Sequence, residues 1–503
     1  MSETFSSAGP VIVVAIPAVG ATLVALSGRW PNVRDAWSTI AALAMLAAVV
    51  AMLPGVLDGR IPQATLVELA PGIDVTLRAD AAGMIFALLA SGLWVVAGVY
   101  AVGYMRSGNE HKQTRFFAAF ALSLAAAGGV ALAGNLLTFV LFYELLSLFT
   151  YPLVTHRQTE EAIVAGRKYL TYTLSGGVLL IGATAWIAIL GIDASFTAGG
   201  FLRNASLSTG TAWALFALLI AGVGVKSAVM PLHSWLPSAM VAPTPVSALL
   251  HAVAVVKAGV FGMIRMLAFV FGADMLNDMG AWQVIAAFAA VTLVAGSLLA
   301  IRHDNLKRRL AYSTISHLSY IVLGVAIVGP IALTGALLHL VGHGVTKITL
   351  FFVAGAIHTR THRENVSELD GIGRQMPITM GAFTLASLSM AGIPPFVLFT
   401  SKFYLGWGAA EVEKQIFLVL YLVSGVLSAA YLFPIVVRAF WRTSDAFTRF
   451  GEADMRMVVP LVITGVLALA WGLVPDVPFS FFDLATDVSS AAFPDSAPVA
   501  GAR

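Results

Sequence analysis

Apolar residues in this chain come in long blocks separated by short polar connections. Blocks long enough to cross roughly 30 Å of hydrocarbon fall near 9–27, 36–56, 81–105, 115–133, 135–155, 161–190, 210–232, 245–270, 281–301, 309–328, 331–356, 376–408, 414–440 and 457–476. Each predicts a membrane-spanning helix, about fourteen in all, numbered here as spans 1 to 14. Only the connection from about 60 to 80, IPQATLVELAPGIDVTLRAD, alternates apolar and polar positions, on both sides of Pro71-Gly72. It predicts an external β-hairpin.

Composition agrees with that pattern. With 59% hydrophobic and 11% charged residues, a soluble core could not hide the apolar surface. The expected class is an all-α polytopic membrane protein. The formal net charge is only +3 and its positives are scattered between blocks, which argues for membrane topology and against a nucleic-acid partner. Cysteine is absent, so disulfides, thiolate metal sites and cysteine-ligated clusters are excluded from this chain. The segment before the first block, MSETFSSAGP, has no Lys or Arg, so the block reads as a retained helix and not a secretory signal. Basic clusters recur on one side: Arg106, Lys112 and Arg115; Arg157, Arg167 and Lys168; Arg302, Lys307, Arg308 and Arg309; Arg360, Arg363 and Arg374; Arg438, Arg442, Arg449 and Arg456. The positive-inside rule makes that side cytoplasmic and places both termini outside, in the inner membrane of a prokaryote.

Three places look broken: Pro231 to Pro237, Pro243-Thr244-Pro245, and Gly392-Ile393-Pro394-Pro395. They predict discontinuities in spans 7, 8 and 12. Discontinuous helices in corresponding positions of two halves indicate a transport site between repeats. If spans 4 to 8 and 9 to 13 are the repeats, each has an odd number of helices, so the two are inverted relative to each other. The expected division is 1–110 (spans 1 to 3 with the hairpin), 111–270 (first repeat), 271–440 (second, inverted repeat) and 441–503 (span 14 and the tail).

Ionisable groups at membrane depth are costly and rare unless function retains them. Glu144, in LLTFVLFYELLSLFTYPL, lies mid-span among apolar neighbours, and Lys226 is its candidate partner. GVGVKS lacks the GxxxxGK[ST] spacing of a phosphate-binding loop. His233 follows in the proline-rich link. His251 and Lys257 are six residues apart in span 8, about 600° round a regular helix, so they are expected on different faces. His339, His343 and Lys347 recur at i, i+4 and i+8, which stacks three titratable groups on one face. Such a ladder suits proton relay; an HxxxH metal pair or haem ligation is the weaker reading, since no Asp, Glu or Cys accompanies it. His317 can link the cytoplasmic side to the centre. Lys402 follows the Pro394-Pro395 break and either relays protons or snorkels to the interface. His111, His156, His358 and His362 lie in loops and carry no expectation.

FYELL around Glu144, KSAVMPLHSWLPSAMVAPTPVSALLH, RRLAYSTISHLSY, HLVGHGVTKITLFFVAGAI and AGIPPFVLFTSKF cover spans 5 to 12 in order. They resemble the antiporter-like membrane subunits shared by respiratory complex I, membrane-bound hydrogenases and Mrp-type multisubunit cation/proton antiporters. The resemblance implies fourteen helices with two inverted five-helix repeats. It also implies a Glu144–Lys226 pair, a central relay at Lys257 or His251 with His343 and Lys347, and an exit at Lys402. The chain ends soon after span 14, and Lys402 stands where the middle complex I subunit usually has glutamate; both look most like a D-type Mrp subunit, whereas VAPTPVSALLH is closer to the distal complex I type.

The expected function is therefore proton translocation within a multisubunit Na⁺/H⁺ antiporter. The alternatives are the same module in a redox, hydrogenase or inorganic-carbon uptake assembly, and an independent organic-solute transporter. The expected partners are other membrane subunits and the bilayer, with protons and sodium ions as cargo. No catalytic residue, cofactor or metal is expected in this chain.

Overall fold

The computed structural model describes residues 3–70, 72–494 and 496. Twelve helices are long and apolar enough to cross a membrane: Gly9–Leu26, Pro31–Leu57, Ala81–Ser107, Gln113–Ala131, Leu136–Val154, Glu160–Ile189, Thr209–Lys226, Thr244–Phe271, Ala281–Arg302, Pro330–Thr361, Gln415–Trp441 and Met455–Leu473. They are spans 1 to 9, 11, 13 and 14. Span 10, Leu306–Ala326, opens on Lys307, Arg308 and Arg309 and is less apolar, but most of it is buried. Span 12 is two helices, Pro377–Ala391 and Val397–Glu411, separated at Gly392–Pro395. Fourteen spans therefore stand close to the positions the apolar blocks predict. The chain is a multi-pass, all-helical membrane protein.

Side-chain caps set several helix starts. Asp80 accepts from the Gly83 amide (2.8 Å), Asn135 from Thr138 (2.8 Å), Thr159 from Ala162 (3.2 Å) and Ser208 from Thr211 (3.1 Å). Each satisfies an amide that the first turn leaves without an intrahelical partner.

The hairpin forms as expected, with β2 at Arg60–Ala70 and β3 at Ile73–Arg78. They pair antiparallel from Gln63–Arg78 to Ala70–Ile73, and Gly72 sits at φ +77°. An unexpected strand, β1 at Glu3–Ser6, pairs parallel with Arg60–Gln63 and completes a three-stranded sheet. A further helix beyond span 14, Phe481–Ala492, packs on spans 3 and 11.

Spans 8 and 11 form the centre: every residue of their apolar stretches is buried. Spans 2, 6 and 13 leave most of theirs on the outside, with exposed Val50, Val178 and Val426 among them, as suits lipid. Span 8 is interrupted as expected, but not at its prolines. Pro245 lies in the first turn of the helix, where its missing N–H costs no hydrogen bond. The interruption is a wide π-helical turn at Leu249–Val253 ending at Ala254, and a second one spans Arg265–Phe271.

A regular 100° step places His251 and Lys257 on different faces, and each has its own partner on span 11. Both meet span 11: Lys257 reaches His343 and Leu340, and His251 stacks on Phe351 at 4.6 Å.

Candidate functional site: a buried chain of ionisable groups

Glu144 lies in the middle of span 5 and Lys226 is the last residue of span 7, at the break. Their Oε1 and Nζ atoms are 3.7 Å apart. Lys226 Nζ also donates to the Tyr143 carbonyl and sits 3.4 Å from the centre of the Tyr143 ring. The lysine is 1% exposed, so its charge depends on these partners. Space for the carboxylate comes from span 6: a Cβ at Gly177 would collide with it. Spans 7 and 8 meet just as closely, because a Cβ at Gly259 would collide with the Lys226 backbone.

The second cluster lies in the fully buried interior. Lys257 Nζ donates to the Leu340 carbonyl (2.9 Å) and contacts His343 Nδ1 at 2.8 Å. When Lys257 donates, Nδ1 is the acceptor and the imidazole proton lies on Nε2, which has no hydrogen-bond partner. The His343 ring lies parallel to His317, 5.6 Å away. His317 Nδ1 and His339 Nε2 are 3.2 Å apart, and His339 Nδ1 reaches Ser401 Oγ at 2.9 Å.

Lys347 joins the same centre by a route that uses no histidine until its end. Its Nζ donates to Ser313 Oγ (2.7 Å) and the Leu310 carbonyl (3.1 Å). Ser313 pairs with the Tyr431 hydroxyl (2.7 Å), Tyr431 with Ser428 (3.1 Å), and Ser428 with His317 Nε2 (3.2 Å). The i, i+4, i+8 ladder of span 11 thus faces span 10 along its length, as its spacing predicts.

Lys402 turns toward the break in its own span. Its Nζ donates to the Met390 carbonyl (2.7 Å), freed where the first half of span 12 ends, and lies 5.1 Å from the Tyr320 ring centre. Tyr320 in turn stacks on His339 at 4.9 Å and on His317 at 5.0 Å. Beside Lys402 an apolar groove of about 750 Å³, lined by Phe399, Trp407 and Leu422, opens toward the lipid side. His233 stands apart. It is half-buried in the link after span 7, 6.4 Å from Tyr312, and its Nδ1 has no partner. His251 touches the series only through Phe351, and neither of its ring nitrogens is hydrogen-bonded. Among the described residues no hydrogen bond joins Lys226 to Lys257.

Sequence reasoning missed the hydroxyl groups. Tyr421, Ser424, Ser428 and Tyr431 are buried on span 13, and their i, i+3, i+7 and i+10 spacing is a readable polar stripe on an otherwise apolar helix. It also missed Arg265, fully buried in the second π-helical turn. Its guanidinium grips both oxygens of Asp80 (2.7 and 2.8 Å) and is surrounded by Phe196, Phe261 and Phe269, with 4.6–5.0 Å from guanidinium carbon to ring centre. A lone arginine near the end of an apolar block gave no sign of a partner 185 positions away.

Comparison with known proteins agrees with this arrangement. The family model described as NADH:quinone oxidoreductase/Mrp antiporter, TM, matches residues 133–428, which hold the whole buried series up to Ser428. The chain is 34% identical over 426 residues to an NADH-quinone oxidoreductase subunit N of Desulforudis audaxviator, covering 80% of this chain and 82% of that protein. It is 30% identical to an Na(+)/H(+) antiporter subunit of Alkalihalophilus pseudofirmus, across 81% of this chain but only 53% of that longer protein. Among solved structures, a chain of the Mrp complex from Dietzia sp. superposes with a TM-score of 0.85 at 23% identity, covering 97% of this chain and 98% of that one. A chain of respiratory complex I from Thermus thermophilus gives 0.74 at 25%, covering 93% and 98%. The match across the interior, the shared fold and the extent of these relatives lead to one conclusion: this chain belongs to the NADH:quinone oxidoreductase/Mrp antiporter membrane family.

Proposed function

We propose that this chain is the proton-translocating subunit of a multisubunit monovalent cation (Na⁺)/H⁺ antiporter. It sits in the plasma membrane of a prokaryote among other membrane subunits, with its basic loops cytoplasmic and both termini outside. The observation that carries the reading is the buried series itself: Glu144–Lys226, then Lys257–His343, then His317–His339 with Lys347, then Lys402, all between packed helices. Intramembrane ionisable groups at such density mark ion pathways. Relatives named as Na(+)/H(+) antiporter subunits support the cargo.

The series works by sharing charge between neighbours. Glu144 stabilises the Lys226 ammonium; when the two move apart, an uncompensated charge in an apolar interior is costly, and the proton passes on. The space between Lys226 and Lys257, and that between His343 and His317, are bridged by water during transfer. His343 receives the proton at Nδ1 and releases one from Nε2 toward His317. The two repeats, 111–270 and 271–440, then take opposite ends of the path, with Lys402 as the exit. His233 and His251 are peripheral members.

The subunit N relative, matched over most of its length, favours a second reading in which a redox partner drives the same series. Identifying the subunits that co-purify separates the two: cluster-bearing partners mean the redox assembly, and small hydrophobic partners alone mean the antiporter. Under either reading, Lys226→Ala in the intact assembly is expected to abolish proton movement in inverted vesicles. Wild-type rates with normal assembly would overturn the relay.

A further inference from the structure

Outside the buried series, one cluster of metal-type donors remains among the described residues, on the basic side of the molecule. Glu110 and His111 lie in the connection between spans 3 and 4, and His156 in the connection between spans 5 and 6. One donor atom of each lies within 4.8 Å of the others. His156 Nε2 is 4.0 Å from Glu110 Oε2, and the His111 and His156 rings stack at 4.9 Å.

His156 is the telling member. It is 0% exposed, with Phe116 edge-on to its ring at 5.4 Å, yet neither Nδ1 nor Nε2 has a hydrogen bond. The His111 backbone approaches the ring closely enough to act as a weak hydrogen-bond partner, but at no well-formed hydrogen-bond geometry. Buried polar atoms are nearly always satisfied, so an Nε2 without a well-formed hydrogen bond, facing a carboxylate 4.0 Å away beside a second imidazole, calls for a ligand.

We propose that Glu110, His111 and His156 form a binding site for a divalent d-block cation of the zinc class. Two imidazoles and one carboxylate are a zinc donor set, with a fourth position left to solvent. Ligand bonds of about 2.0–2.2 Å place tetrahedral donors roughly 3.3–3.5 Å apart. Closure therefore requires about 1.5 Å of movement, which the exposed His111 and half-buried Glu110 supply.

The charges around the site are positive, and Glu110 is the acid that faces them. Arg115 donates to the His156 carbonyl (3.1 Å), Arg157 follows His156 in the chain, and Lys112 is held by Gln158 Oε1 (2.5 Å). A bound ion would tie the cytoplasmic ends of spans 3 and 4 to that of span 5, the helix that carries Glu144.

The test uses the purified assembly and Zn²⁺ alone as probe, with bound metal counted by mass spectrometry after gel filtration and the melting midpoint followed during Zn²⁺ titration. Wild type is expected to retain about one more Zn²⁺ per copy of this chain than His111→Ala. Its melting midpoint should rise with Zn²⁺ while that of His111→Ala does not, and Lys112→Ala, in the same loop, should behave as wild type. His111 is exposed, so its replacement leaves folding intact; Glu110→Gln is the second variant and should lower zinc affinity at least tenfold. Equal zinc content and equal melting shifts in wild type and His111→Ala would overturn the site.

Discussion

The sharpest contrast among single residues is between two buried ion pairs. Glu144 and Lys226 sit 3.7 Å apart, with the carboxylate 17% exposed and served by no other hydrogen bond. Arg265 and Asp80 make two bonds of 2.7–2.8 Å inside an aromatic cage, and Asp80 also caps span 3. The first pair is loosely held, as a relay that must come apart requires. The second is a clamp that joins the end of the hairpin to the outer end of span 8. Breaking a buried pair by removing one partner costs about 3–5 kcal/mol, because the remaining charge has no compensation. Asp80→Ala should therefore lower the stability of the purified protein by about that amount, read as a fall in melting midpoint, whereas Glu144→Gln should cost less, because Lys226 keeps the Tyr143 carbonyl and ring as partners, while stopping proton transfer. Equal melting midpoints for Asp80→Ala and wild type would show that Arg265 finds another partner.

At the scale of elements, glycines decide how near the helices bring their charges. Gly177 on span 6 faces the Glu144 carboxylate, and Gly259 on span 8 faces the backbone at Lys226. Packed interiors tolerate an added methyl poorly, typically at about 1–3 kcal/mol. Gly177→Ala should push the Glu144 side chain away from Lys226 and slow proton transfer at least severalfold, although no titratable group is lost. Vesicle assays on the intact assembly would read this, with the amount of assembled complex as control; unchanged rates would mean that the pair tolerates a wider spacing. The π-helical turn at Leu249–Val253 acts at the same scale. It lies where His251 stacks on Phe351 of span 11, one segment before Lys257 reaches His343.

For the molecule as a whole, the basic connections and the three-stranded sheet lie at opposite ends of the bundle. The orientation proposed above, from the positive-inside rule, puts the sheet outside. Because the chain contains no cysteine, a single introduced thiol reports side without background. Glu68→Cys, on the exposed part of β2, should react with an impermeant maleimide in intact cells. Arg363→Cys, in the exposed connection after span 11, should react only after permeabilisation. Labelling with the opposite sidedness would invert the direction of the whole path.

Much of this was legible in the chain. Hydrocarbon thickness sets the length of an apolar block, so the fourteen spans, the hairpin and the membrane class followed from the hydropathy pattern. The cost of burying charge singled out Glu144, Lys226, Lys257, His343, Lys347 and Lys402. The spacing along span 11 predicted one shared face, because i, i+4 and i+8 stay within a regular helix. What required the tertiary structure was anything that crosses between helices or departs from regular geometry. The Ser313–Tyr431–Ser428 link draws on spans 10 and 13, and hydroxyls carry no charge that would have marked them as out of place. The Arg265–Asp80 clamp joins positions 185 residues apart. The π-helical turn that carries His251 is announced by no periodicity. Local sequence determines which segments enter the membrane and which groups are costly there; only the packing of distant helices decides which of those groups can pass a proton to one another.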